Sequence, residues 1–304
     1  MTPLPAGIVR PATAGDLPAV AGLAARLNAQ PESQSLHCAA HTPAETRAAL
    51  RRADDFPGGW QRFFALAADA DGDALAAVGC QVSPDGAVGW LWGPWMGDER
   101  QWGTPLPGRL LGCLRDGLPR SLRRWEAFLH VENADGRRFL RGAGFVEGPV
   151  THVYVARAPE TGGDLETGAL PLLGSAHEVA FERLHAETFP VHGTTPAADL
   201  LAGRDEEHCI FAVADGLRLL GYVCVAVNHA PREGFIEYLA VRPSARGRGV
   251  GARLLAGAQR WACVERGLPQ VALCVSDWRS GARRLYEQAG FRLAASGVAL
   301  RGRV

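Results

Sequence analysis

Val241-Arg242-Pro243-Ser244-Ala245-Arg246-Gly247-Arg248-Gly249-Val250-Gly251 is the stretch on which the reading of this chain turns. Before it, Phe235-Ile236-Glu237-Tyr238-Leu239-Ala240-Val241 reads as a strand, and Pro243 stops it. After it, a helix is predicted from Gly249 to about Arg266. It carries Leu254, Ala258, Trp261 and Ala262 on one face and Arg253 and Arg260 on the other. Glycines between the two let the backbone turn tightly and bring several N–H groups onto one anion. The helix adds its positive N-terminal end, roughly half a charge. Arg246 and Arg248 add side-chain charge where a pyrophosphate would sit.

Gly247-x-Gly249-x-x-Ala252 also matches the dinucleotide fingerprint, but that motif needs its first glycine directly after the strand. Arg242 to Arg246 intervene here, and no second strand ends in an acidic residue at the right distance. A Gly-Lys-Ser/Thr nucleotide loop is absent. The nicotinamide reading is therefore weak.

The chain uses one pattern twice. Asn133-Ala-Asp-Gly-Arg-Arg-Phe-Leu-Arg-Gly-Ala-Gly-Phe145 aligns with Arg279-Ser-Gly-Ala-Arg-Arg-Leu-Tyr-Glu-Gln-Ala-Gly-Phe291, at an offset of 291 − 145 = 146 residues. The same offset sets Arg100-Gln-Trp-Gly103 against Arg246-Gly-Arg-Gly249. The expected organisation is a first domain over 1–158, a linker over 159–167 and a second domain over 168–304. The segment around Arg157 to Glu166 is rich in Pro, Gly and charge and has no apolar period.

Strands are predicted at 208–215, 219–228, 235–241 and 271–275 in the second half, with a helix from the N-cap Ser280 to Gly290. The first half gives strands near 63–68, 74–83, 89–92 and 126–131 and helices near 107–118 and 136–143. Strands paired early, then strand–helix–strand, imply an α/β fold with a mixed sheet.

Composition bounds the function. With 304 residues, 47% of them hydrophobic and 21% charged, the chain can bury two cores, which rules out global disorder. Thirty-two Lys+Arg balance thirty-two Asp+Glu, so nucleic acid or an anionic membrane is not the expected partner. No apolar run approaches the ~18–20 residues of a membrane span, and Met1 to Arg10 shows no secretory signal. Seven scattered cysteines without a CxxC spacing point to a reducing cytoplasm, without a disulfide framework or zinc site. The nine histidines show no metal spacing. His185 and His192 read as isolated exposed histidines, and Ser175-x-His177 has no third member of a triad.

Val241-Arg-Pro-x-x-Arg246-Gly-Arg-Gly249-Val-Gly251 resembles the acyl-CoA signature of the GNAT (general N-acetyltransferase) superfamily. Ala282-x-x-Leu285-Tyr286-Glu287-x-x-Gly290-Phe291 resembles that family's later strand–helix motif, and Ile8–Asp16 is similar to its opening strand and helix start. The whole chain thus looks like two tandem GNAT domains, a layout similar to that of mycothiol synthase-like acetyltransferases. The resemblance implies transfer of an acyl group, usually acetyl, from acetyl-CoA to an amine of a small molecule or peptide, without a metal, by a monomer or homodimer.

It also assigns roles. Leu239, Ala240 and Val241 would hold the pantetheine arm as an added strand. Arg246, Gly247, Arg248, Gly249, Val250, Gly251 and Ala252 would grip the diphosphate. A general base is useful because deprotonating an alkylamine of pKa about 10.4 at pH 7 costs roughly 4–5 kcal/mol. Glu237, whose side chain strict alternation places opposite Ile236 and Tyr238, is the candidate base. Tyr286 matches the family's general acid. Arg279 stands where the family often has Asn, so Asp277, Trp278 and Arg279 are expected to shape a pocket instead.

In the first half the 146-residue offset sets Leu140 against Tyr286, Leu91 against Glu237 and Pro105 against Gly251, so no catalysis is expected there. Asn133 retains the family's Asn, leaving open either a structurally bound cofactor or a purely architectural half. Trp90, Trp92, Trp95 and Trp102 serve packing or a ligand platform. For the whole protein, a non-catalytic acyl-CoA binding or sensing module is the competing reading.

Overall fold

The structure is a computed structural model that describes residues 7–38, 40–52, 56–158, 172–189, 194–229 and 231–303. The expected linker 159–167 and His192 lie outside the described residues. The contacts divide the chain into two units. One comprises Met1–Thr151 with Ser296–Val304, the other His152–Ala295.

The first unit runs β1 (Ile8–Pro11), α1 (Leu17–Asn28), α2 (Pro43–Leu50), β2 (Phe64–Ala68), β3 (Ala74–Val82), β4 (Val88–Met96), α3 (Leu106–Gly117), β5 (Arg124–His130), α4 (Ala134–Gly142) and the start of β6 (Val146–Arg157). Its sheet begins with the antiparallel pairs β1–β2, β2–β3 and β3–β4, then β4 joins β5 in parallel. Phe56, Trp60, Phe63, Phe64 and Trp92 form its aromatic core, with edge-on or tilted rings 5.3–6.2 Å apart.

The second unit follows with α5 (Glu178–Thr188), α6 (Ala197–Ala202), β7 (His208–Asp215), β8 (Arg218–His229), β9 (Arg232–Val241), α7 (Val250–Arg260), β10 (Gln270–Ser276), α8 (Ser280–Gln288) and β11 (Arg292–Arg303). Strands β7, β8 and β9 form an antiparallel meander and β9 joins β10 in parallel, so the mixed α/β sheet occurs in both units. Two cores flank the second sheet. One packs Val250, Leu254, Ala258 and Trp261 of α7 on Val223, Val225 and Ile236. The other packs Phe181 and Leu184 of α5 on Tyr222, Cys224 and Ala240. The predicted helix to Arg266 is present but changes winding: after Arg260 it opens into a π-turn over Trp261–Glu265, closed by Arg266 N donating to the Trp261 carbonyl.

The division by contacts differs from the expected linear one at both last strands. Within β6, His152–Arg157 belong to the second unit, where β6 lies next to β10 and Tyr154 and Ala156 enter the α7-side core. Within β11, Gly297–Arg303 pair antiparallel with His130–Arg124 of β5 in the first unit. Each unit thus closes its sheet with residues encoded in the other half of the sequence. A linear pattern search cannot see this, because either strand satisfies the same apolar alternation wherever it pairs. Among the described residues, no helix is long and apolar enough to cross a membrane.

The exchange has a measurable consequence. A fragment of residues 168–304 lacks Tyr154, whose loss from a core costs about 3–5 kcal/mol, and bares the edge of β10. It is expected to show no cooperative thermal transition by circular dichroism, whereas a fragment starting at residue 146 regains one.

Candidate functional site

Strand β9 is paired with β8 along its length, to Gly221↔Val241, yet β10 pairs only with Gly234–Ile236. From Glu237 onward the β10-side edge of β9 has no ladder partner in β10. The parting begins at a bulge. Cys224 faces Tyr238 and Val225 faces Ile236, so Glu237 is the extra residue on β9. The bulge corrects the expected side-chain alternation, since Ile236 packs into the α7-side core and Tyr238 against the α5-side core. Glu237 interacts electrostatically with His208 and Cys224, and Cys224 lies in the α5-side core. Its side chain is open to solvent, while the surrounding protein raises its carboxyl above the ordinary value and His208 acts in the opposite sense.

Beyond β9 the chain turns through Arg246–Gly249, all exposed. Gly247 and Gly249 have φ of +72° and +76°, and a Cβ on either would meet nothing within 4 Å. Their need for glycine is conformational, and the space above them is free. Gly251 differs: its Cβ would lie 2.8 Å from Leu285 Cδ2, so it serves the close approach of α7 to α8. Gly249 caps α7 without a side-chain bond, and Arg253 N donates to its carbonyl. The N–H groups of Val250, Gly251 and Ala252 precede that bond and point out of the helix start. Arg246 makes a long 3.4 Å bond from Nε to the Val241 carbonyl. In the first unit the equivalent Arg100 is instead bound through Nε to both carboxylate oxygens of Asp98, each at 3.0 Å.

A cleft of about 450 Å³ adjoins this turn, lined among others by Thr188, Arg246, Trp278, Arg279 and Ser280. Arg279 stacks on Trp278 with its guanidinium 4.7 Å from the ring centroid and reaches Phe189 at 5.9 Å. Trp278 and Arg279 thus line a pocket as expected, whereas Asp277 is held by His152 Nε2 and Arg283 Nη1, both at 2.8 Å. Tyr286 is buried in the α7-side core with its ring 6.3 Å from that of Tyr154. Burial raises its phenol above the ordinary value, with Arg279 acting in the opposite sense. Leu239 and Val241 pack toward the α7 side and Ala240 toward α5.

His185 corrects an expectation. It is buried, with Nδ1 2.7 Å from the Tyr222 hydroxyl and Nε2 3.0 Å from the Thr195 carbonyl. Burial lowers its pKa, so the neutral ring donates from Nε2 and accepts from Tyr222. Thr195 N in turn donates to the Tyr238 hydroxyl at 2.9 Å. The segment before α6 is thus tied to β8 and β9 beside Glu237. No local motif announces this tie, because its bonded partners lie up to 43 residues apart. His177 Nε2 bonds the Gly216 carbonyl, far from any triad. Among the described residues, no group of three His, Cys, Asp or Glu side chains is placed to hold a metal ion.

The first unit departs at each equivalent position. Gly89 faces Trp125 and Gly234 faces Val271, so β4 and β9 correspond at 234 − 89 = 145 while β5 and β10 correspond at 271 − 125 = 146. By that register Trp92, not Leu91, stands opposite Glu237, and neither ionises. Asn133 is buried and engaged, accepting from Gly136 N at 3.0 Å as the cap of α4 and donating to the Gln34 carbonyl. Trp92 and Trp95 are core residues, and Trp102 packs on Phe139.

Two tests follow from the geometry. Gly249→Ala adds a methyl that touches nothing but forces a left-handed residue, so a loss of about 1–2 kcal/mol in thermal or denaturant unfolding is expected. His185 has a folded-state pKa below its unfolded value. On acidification the unfolded chain takes the proton first, and the native state loses stability below about pH 6.5. The Tm gap between wild type and His185→Gln should therefore narrow between about pH 8 and about pH 5.

Known proteins similar to this chain bear on the second unit above all. Residues 179–291 match the model of the Acetyltransferase (GNAT) family. A mycothiol acetyltransferase of Salinispora tropica is 35% identical over 127 residues, which cover 38% of this chain and 41% of that protein. The chain thus spans about two fifths of the length of the curated relative it matches. A GCN5-related N-acetyltransferase from Sphaerobacter thermophilus is similar in structure with a TM-score of 0.65 at 20% identity, over 97% of this chain and 95% of that one. A tandem GNAT protein from the clavulanic acid biosynthesis pathway is similar with a TM-score of 0.57 at 14% identity, over 97% and 98%. The matched segment contains the bulged strand, the glycine turn and the helix of Tyr286, so residues 179–291 are similar to the GNAT family, and the fold of the chain is similar to that of tandem GNAT proteins.

Proposed function

We propose that the second unit is an acyl-CoA-dependent N-acetyltransferase that passes acetyl from acetyl-CoA to a primary amine of a small molecule or peptide by direct attack. One observation carries the reading: β9 parts from β10 after Ile236 and leads into a turn whose left-handed glycines and helix start present free N–H groups. A pantetheine arm carries amides and binds as a strand does, here on Leu239, Ala240 and Val241. A diphosphate needs several donors and positive charge, which Arg246, Gly247, Arg248, Gly249, Val250, Gly251 and Ala252 supply. Acetyl as the group transferred rests on the name of the Salinispora relative.

Glu237 takes the ammonium proton, directly or through one water, and frees the amine lone pair to attack the thioester carbonyl. Its raised pKa brings it closer to the amine and makes it a better base than an ordinary carboxylate. As the C–S bond breaks, the departing sulfur needs a proton. From a phenol at about 10 to a thiol at about 8.5 that transfer is uphill by about 2 kcal/mol, and Tyr286 is the donor. Burial keeps the Tyr286 proton in place between turnovers and makes its release costlier than for an exposed phenol. All seven cysteines are free, which suits a cytoplasmic enzyme.

Steady-state turnover of acetyl-CoA against a panel of amines tests the reading. Glu237→Gln is expected to lower kcat by about 10²–10⁴-fold. The acidic limb of the wild-type profile should lie above the ordinary carboxylate range, because the base works only when ionised and its pKa is raised. Tight binding of acetyl-CoA with no transfer to any amine, unchanged by Tyr286→Phe, would establish a non-catalytic binding module instead.

A further inference from the structure

The first unit has the same parting of parallel strands, and something stands in it. Strand β4 pairs with β5 only over Val88–Trp90 and Arg124–Glu126. Beyond that point the β4-side edge of β5 is taken by the chain's own residues 34–37. Leu36 N donates to the Phe128 carbonyl at 2.7 Å, His130 N donates to the Gln34 carbonyl at 3.2 Å, and Ser35 faces Leu129 as an antiparallel bridge. The other edge of β5 is occupied by β11, so these bonds can only lie on the side facing β4. Across the gap, His37 Nδ1 donates to the carbonyl of Leu91, the residue just past the last β4–β5 pair.

Two further side chains, Asn28 and Asn133, fasten the segment. Asn28, buried in α1, accepts from Ser35 N at 3.0 Å and donates to the Cys38 carbonyl at 2.8 Å, gripping both ends. Its Oδ1 also accepts from Trp95 Nε1 of β4 at 3.0 Å. Asn133 Nδ2 donates to the Gln34 carbonyl. Burial pushes the His37 imidazole down to about 4, so the ring is neutral at physiological pH, and its bond to the Leu91 carbonyl places the proton on Nδ1. Backbone groups that an opening leaves unpaired are here satisfied from within.

We infer that the inter-strand slot of the first unit is permanently filled by Gln34–His37 and admits no acyl-CoA, the chain's own backbone standing where a pantetheine arm would add as a strand. The inference takes the donor's class and its place between the strands from the function proposed above. Asn133, the residue that left a structural cofactor open, holds this segment instead.

Hydrogen exchange read by mass spectrometry on the intact chain, with a titration of acetyl-CoA by calorimetry, tests it. The amides of Leu36 and His130 should exchange at least ~100-fold slower than unstructured amides in the free protein. Saturating acetyl-CoA should leave them unchanged while slowing exchange at Leu239–Val241, and one equivalent should bind. Free exchange at Leu36 and His130, new protection there on adding acetyl-CoA, or a second bound equivalent would each overturn the inference. Slow exchange at Leu36 and His130 with no equivalent bound and no response at Leu239–Val241 would leave the filled slot standing and sink the proposed function.

Discussion

Two parallel strands that pair for three residues and then separate leave a row of backbone donors and acceptors to be satisfied by something else. Every consequential feature of this chain answers that requirement. An unmade backbone hydrogen bond in a buried setting costs about 1–3 kcal/mol, so an opening of several residues must be wet, filled or ligated. In the first unit, Gln34–His37 fills it. In the second, Glu237–Val241 has no ladder partner in β10, and a cleft lined by Arg246 and Arg279 lies at the glycine turn that follows. The same parting of strands is thus filled by the chain itself in one copy and left without a partner from β10 in the other.

The bulge at Glu237 links this backbone constraint to chemistry. By inserting one residue it turns Tyr238 toward α5 and keeps Ile236 under α7. The carboxylate therefore sits at the parting with the tied segment of His185, Thr195 and Tyr238 beside it. Charge is organised in the same way. The second unit leaves Arg246 with one weak backbone bond next to a helix start, whereas Asp98 binds Arg100 in the first. A guanidinium already matched to a carboxylate has little left for a phosphate.

The mixed sheet, the strand–turn–helix around Gly249 and the repeat were legible because each rests on local period or fixed spacing. Predicted strand 208–215 coincides with β7, and the helix of Tyr286 begins one residue after its cap, Arg279 rather than Ser280. What escaped the sequence lies in long-range pairing. A bulge is invisible to strict alternation, which placed Ile236 and Tyr238 on one face. Gln34–His37 has no strand period of its own, since a few residues wedged between two strands need only backbone groups. His185 reads as exposed in the sequence because its partner Tyr222 comes from a strand 37 residues away, and its other partner is a backbone carbonyl, which no residue type announces.

The exchanged strands explain why a half without the expected catalytic groups still matters to the other. Joining Gly297 to His130 closes a loop of 297 − 130 = 167 residues, an entropic cost of about 4–5 kcal/mol beyond a constant. Seven ladder pairs and the burial of Val298 and Leu300, at about 1.5–3 kcal/mol each, offset it. The reciprocal strand brings Tyr154 into the second core, with its hydroxyl donating to Glu287 on the helix of Tyr286. Leu140, Trp92 and Pro105 stand where Tyr286, Glu237 and Gly251 have their counterparts, and none of the three belongs to the strand that completes the second unit. The candidate catalytic positions and the strands that close each sheet are different residues of the repeat, so one copy can lack the former and still supply the latter.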